Sequence, residues 1–173
     1  FRIDAYRLLE NTFGGSGYDI AIAQHGQPIT FQKNDAGNSV LVSSFDPEFK
    51  ETLFFVHLNK KQNSREAIAQ YRDQPKDFID ESILKISSLT QSIITCTSLE
   101  EFKLLVEIHE TIISQLINTP KIKSSLFPDF PGAIKSLGGW GGDFILATGG
   151  EAEKEYFRGK GYQTILSYEE MVK

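Results

Sequence analysis

Thr52-Leu53-Phe54-Phe55-Val56-His57-Leu58 is a nearly continuous run of apolar, β-prone residues, and the fold turns on it. A strand with one wet face alternates in polarity; a run without alternation predicts a strand covered on both faces. After it, the polar stretch Asn59-Lys60-Lys61-Gln62-Asn63-Ser64-Arg65 leads to a helix through Ala67, Ile68 and Tyr71, with Asn63 or Ser64 as its cap. Pro75 separates that helix from one over 77–94, where Ile79, Ile83, Ile86 and Ile93 share a face. Ser98-Leu99-Glu100-Glu101 has capping-box spacing and opens a long helix carrying Phe102, Leu105, Val106, Ile108, Ile112, Ile113 and Leu116. The short loop between these two helices predicts an antiparallel pair. A short helix after Thr119-Pro120, strands over 133–137 and 143–148, a helix over 151–158, a strand over 162–166 and a final turn capped by Ser167 complete the chain. The order strand, helices, strand, strand, helix, strand is that of an α+β, ferredoxin-like split βαβ domain with an inserted helical pair.

Upstream of the central strand, residues 2–10 have helical spacing with no cap in front of them. A glycine turn, a helix over 18–24 stopped by Gly26, and strands over 29–33 and 40–43 follow. Asn34-Asp35-Ala36-Gly37 has the turn chemistry to join those strands as a hairpin, and Asp46-Pro47 ends the run.

Two glycine turns are the candidate functional elements. In the first, Gly14-Gly15-Ser16-Gly17-Tyr18-Asp19, three glycines in four residues let backbone take positive φ and approach another group closely. Exposed amides at such a turn attract anions, and the carboxylate of Asp19 in the first helical turn can accept or orient a proton. The alternative is local: Ser16 and Asp19 are spaced as a capping box, which would leave Asp19 satisfying a backbone N–H and complementing the helix dipole. The second turn, Gly138-Gly139-Trp140-Gly141-Gly142, has more glycine than a hairpin needs. It reads either as an amide nest for an anion or as a flexible hairpin with Trp140 packed over it. It is neither a Walker loop, lacking Gly-Lys-Ser/Thr, nor a dinucleotide fingerprint, since it joins two strands.

The totals narrow the classes. A chain of 173 residues with 40% hydrophobic and 24% charged residues has the make-up of a globular protein with a real core. No apolar run reaches the roughly 20 residues of a membrane span, and the net charge of −5 argues against nucleic-acid binding through bulk charge. Cys96 is the single cysteine, which excludes an internal disulfide and suits the cytoplasm. His25, His57 and His109 have no metal-ligand spacing, so no metal site is expected. The only methionine is Met171 and residue 1 is Phe, so an N-terminal part of the protein is expected to be missing.

These motifs together resemble the C-terminal part of a GHMP-superfamily small-molecule kinase. Gly17-Tyr18-Asp19-Ile20-Ala21 resembles the segment bearing the conserved acid in mevalonate and phosphomevalonate kinases and matches the GYDIA-type subgroup. Lys135-Ser136-Leu137-Gly138-Gly139-Trp140-Gly141-Gly142 resembles the family's third motif, and Asn59 to Glu66 resembles the loop that approaches the acceptor. Trp140 and Asp143 depart from the usual glycines there, and the main ATP loop, Gly-Leu-Gly-Ser-Ser-Ala, is nowhere in the chain. The resemblance implies that residues 1–50 are the tail of the N-terminal kinase domain and 51–173 the C-terminal ferredoxin-like domain. It implies ATP and Mg2+ as cofactors and Asp19 as the catalytic residue. Gly14, Gly15, Ser16 and Gly17, with Gly138, Gly139, Gly141 and Gly142, then lie on the phosphate side, and Ser64, Arg65 and Trp140 on the acceptor side. Ser64 as a helix cap, Arg65 as a surface charge and Lys135 as an ordinary strand-end charge are the local alternatives. The expected partners are a small-molecule acceptor, the missing N-terminal segment and a second copy in a homodimer, with neither nucleic acid nor membrane. A non-catalytic binding or dimerisation module derived from such a kinase is the alternative function.

Overall fold

The computed structural model describes residues 4–12, 15–34, 37–60, 64–138 and 143–172. They fall into two compact units, one ending at Phe45 and the other spanning Asp46–Val172.

In the first unit, helix α1 (Ala5–Glu10) is capped by Asp4, whose Oδ1 accepts from the Arg7 amide at 3.2 Å. This corrects the expectation of an uncapped helix over 2–10: an Asx cap at Asp4 satisfies the first amides. Helix α2 (Tyr18–His25) ends at Gly26 with φ 62°, the left-handed stop that glycine provides. Strands β1 (Ile29–Asn34) and β2 (Gly37–Val42) pair antiparallel from Ile29↔Val42 to Asn34↔Gly37 as the expected hairpin. Tyr18 and Phe31 meet edge to face at 6.1 Å, joining α2 to this hairpin.

The second unit is built on β3 (Leu53–His57), which follows a 3-10 turn at Lys50–Thr52. The apolar run is central: the four-stranded sheet has the order β4-β5-β3-β6, with β4 (Ile134–Ser136), β5 (Phe144–Thr148) and β6 (Ile165–Ser167). Every pairing in it is antiparallel, which is the split βαβ arrangement. Leu53, Phe54, Phe55 and Val56 are all buried, as a strand covered on both faces requires. Phe54, Val56 and Leu58 pack with Phe127, Phe130, Ile134, Ile145 and Phe157 in the main core.

Helices α3 (Ser64–Arg72), α4 (Lys76–Thr95) and α5 (Leu99–Leu116) fill the first crossover. The α4 and α5 helices pack on each other, and Ser98 Oγ caps α5 by accepting from the Glu101 amide at 3.1 Å. Ala67 of α3 packs with Leu116 and Ile117 in a second core. Ile83 on α4 and Ile108 on α5, expected in the core, are exposed. Each lies off the side its helix buries: on α5 that side follows Phe102, Val106, Glu110 and Leu116. Helices α6 (Ile122–Leu126), α7 (Glu151–Gly159) and α8 (Tyr168–Met171) complete the unit, the last with a Ser167–Glu170 capping box. Among the described residues no helix is long and apolar enough to cross a membrane.

Candidate active site

The first glycine turn enters α2 through Gly15 at φ 134° and Gly17 at φ 82°. Gly17, not Ser16, is the helix N-cap, and its carbonyl accepts the Ala21 amide at 3.0 Å. Gly17 is required twice over: its φ is left-handed, and a Cβ there would lie 2.8 Å from the Tyr6 ring. Ser16 Oγ accepts from the Tyr18 amide at 3.2 Å, one residue short of a capping box. The capping-box alternative for Asp19 is therefore corrected: the left-handed turn at Gly17 moves the cap along the chain by one residue. Asp19 sits exposed in the first turn of α2, and among the described residues no hydrogen bond or ion pair reaches its carboxylate. A carboxylate in that position is free to meet a solute. Lys33, which no sequence pattern singled out, brings its Nζ within 3.5 Å of the Gly15 carbonyl and places a cation beside the turn. Gly14 lies outside the described residues.

In the second unit, β4 runs into Gly138, which is exposed with φ 71°. Gly139, Trp140, Gly141 and Gly142 lie outside the described residues. So do the side chains of Ser64 and Arg65 and the cap expected at Asn63; Ser64 itself opens α3.

The side chain of Lys135 is three-quarters buried, with its Nζ 3.4 Å from Glu110 Oε1. That corrects the ordinary strand-end charge expected from its position. Glu110 is 4% exposed in the middle of α5. It accepts the Ser136 amide on Oε2 at 3.1 Å and the Ser136 hydroxyl on both oxygens at 3.1 and 2.9 Å, while His109 Nδ1 lies 3.7 Å away. Burial pushes the Glu110 carboxyl up, but the contacts from His109, Lys135 and Ser136 outweigh burial and hold it below the usual carboxylate range. Burial pushes the Lys135 ammonium down, opposed by the Glu110 charge. The sequence did carry a signal for Glu110. It stands four residues after Val106 and eight after Phe102, on a stripe where helical spacing calls for apolar side chains.

Beside this cluster a cavity of about 350 Å³ opens between α5, α6 and the end of β3. Leu58, Ile113 and Ile117 form its apolar walls, Glu110 and Ser136 its polar side, and Lys60 a cation on its lining. An apolar pocket with a few placed polar groups suits a small molecule.

No protein-family model matches the sequence, and no curated protein does. Solved structures do. The L. major mevalonate kinase in complex with R-mevalonate aligns at a TM-score of 0.68 and 14% identity, over 94% of this chain and 55% of that one. The phosphomevalonate kinase of Streptococcus pneumoniae aligns at 0.55 and 17%, over 78% of this chain and 45% of that one. The chain has the mevalonate kinase fold. It spans about half the length of the solved structures it matches. The mevalonate kinase fold accounts for the helical pair inside the first crossover and for the four-stranded sheet around β3. Among the described residues no group of three or more His, Cys, Asp or Glu can hold a metal ion.

Proposed function

We propose that this chain is the C-terminal part of a small-molecule kinase that phosphorylates a hydroxyl or phosphate of a small metabolite. A mevalonate-like hydroxy acid or its phosphate is the first acceptor to try, and a sugar the next. The observation that carries the proposal is the free Asp19 carboxylate at a left-handed glycine turn, in a chain whose fold is shared with two small-molecule kinases.

Phosphoryl transfer needs positioning and charge neutralisation more than covalent chemistry from the protein. Asp19 Oδ takes the proton of the acceptor hydroxyl, or orients that hydroxyl for attack. Gly15 and Gly17 let backbone come close to the group transferred. The resemblance assigns Ser64, Arg65 and Trp140 to the acceptor. ATP and Mg2+ are the cofactors implied, supplying the phosphoryl group and charge neutralisation when bound. The described residues do not by themselves fit them: they contain no cluster for a metal ion and no Gly-Ser-Ser-Ala loop. Their binding is assigned to an N-terminal segment of the same protein, and the chain alone is expected to turn over no ATP. The same proposal includes a homodimer and a cytoplasmic setting, where Cys96, buried and with its thiol pushed up by burial, stays reduced.

The test is Asp19→Asn in the full-length protein. Turnover should fall by roughly 10²–10⁴-fold, the loss typical of a proton-transfer group, with the fold intact. Turnover within a few-fold of the parent would defeat the assignment. A full-length protein that transfers no phosphate to any such acceptor would leave the binding or dimerisation module standing.

A further inference from the structure

We infer that Glu110 is a positioning residue. It pins the open edge of β4, so that Ser136 to Gly138 enter the second glycine turn in one fixed place. This rests on the kinase reading only for the statement that transfer depends on the pin.

The strand β4 lies at the end of the sheet and has three residues. So short a ladder with β5 specifies register weakly. In an antiparallel pair successive amides point to opposite sides. The Leu137 amide turns inward and donates to the Phe144 carbonyl at 3.0 Å, so the Ser136 amide turns out, to the open edge. An outward edge amide ordinarily meets water or charged edge residues. Here α5 packs on β4, and Glu110 supplies the acceptor instead, at 3.1 Å. The Ser136 hydroxyl doubles the attachment. A slip of β4 by one residue would bring Lys135 or Leu137 opposite Ile145 and take the Ser136 hydroxyl away from Glu110.

A buried carboxylate is costly unless its oxygens are filled, and apolar residues of similar volume often serve stability as well. What an apolar residue cannot supply is direction. The attachment lies two residues before Gly138, where the chain takes its left-handed turn. This contact and the Lys135 ammonium, which donates to the Ser136 carbonyl at 3.3 Å, hold the outer edge of the strand feeding that turn.

The experiment uses the full-length protein, with phosphate transfer by the parent read first. Glu110→Gln keeps one acceptor. The double variant Glu110→Leu/Lys135→Met removes the pin and the charge pair together and leaves an apolar contact. Three quantities are read: ligand-free amide exchange at Ser136 and Leu137, the thermal midpoint, and kcat with KM for the acceptor. The double variant should keep a midpoint near the parent's, speed Ser136 exchange by about tenfold or more, as for a lost hydrogen bond to a charged group, and lower kcat with little change in KM. Glu110→Gln should fall between it and the parent. Parent-like exchange at Ser136 would overturn the pin. Faster exchange with parent-like kcat would overturn its role in transfer, as would activity that follows the thermal midpoint alone. If the parent transfers no phosphate, the kinase reading falls, and Ser136 exchange still decides the pin.

Discussion

Replacing Lys135 by Met should destabilise the protein at neutral pH and lose part of that effect in acid. The substitution keeps most of the apolar stem and removes the ammonium that stands 3.4 Å from Glu110. Breaking one side of a buried pair costs about 3–5 kcal/mol, because the remaining charge is left uncompensated. Lys135 keeps 24% of its side chain exposed, so solvent screens the pair in part. Glu110 also retains its Ser136 hydrogen bonds. The expected loss is therefore smaller, about 2–3 kcal/mol near neutral pH. In the parent, the Glu110 carboxyl is held below its unfolded value, so its contribution is full above that value and fades as pH falls through the folded one. In the variant, burial is opposed only by His109 and Ser136, and the folded value moves up from the parent's. The variant then loses less stability than the parent as pH falls, and the two converge by up to about 1.4 kcal/mol per pH unit between their folded values. The difference between variant and parent should narrow as pH falls through the variant's folded value toward the parent's, which lies below the ordinary carboxylate range. His109 Nδ1 lies 3.7 Å from Glu110, so the comparison is repeated in His109→Gln backgrounds to isolate the effect of Lys135 on Glu110. Urea unfolding followed by far-ultraviolet circular dichroism measures both. A loss under about 1 kcal/mol near neutral pH, or a difference that does not move with pH, would refute this account of the cluster.

Other outcomes follow from packing. Gly132→Ala would put a Cβ 2.1 Å from the Thr148 backbone carbonyl, which cannot swing aside, and should cost about 3 kcal/mol in urea unfolding. Phe157→Ala removes a fully buried ring that meets Phe127 at 4.9 Å and Phe130 at 4.8 Å, and should cost about 3–5 kcal/mol in the same assay. Gly17→Ala forces a side chain into φ 82° against Tyr6, and should raise amide exchange in α2 by the equivalent of about 1–2 kcal/mol. Ser98→Ala removes the α5 cap and should lower stability by about 1 kcal/mol, while Ser98→Asp should recover most of it.

The sheet was legible because its evidence is local. The unbroken run through Phe54 and Phe55 marks a strand covered on both faces, and Ser98, Pro75 and Gly26 punctuate helices by their own backbone chemistry. The first glycine turn was legible for the same reason: the conformational freedom seen at Gly15 and Gly17 belongs to the residue that carries it. Even there, one local inference failed. Ser16 had the composition of a cap, but the left-handed turn at Gly17 took the capping position, and Asp19 was left unpaired. The sequence by itself therefore determined the element order and the first glycine turn, since spacing and residue type settle these within a few neighbours, while the structure decided that Asp19 is unpaired. Only the tertiary structure decided that Lys135, Glu110 and Ser136 meet, because residues 25 and 26 positions apart come together only when α5 packs along the edge of β4. A buried carboxylate is tolerable only once those partners are in place, and no stretch of sequence read alone contains them.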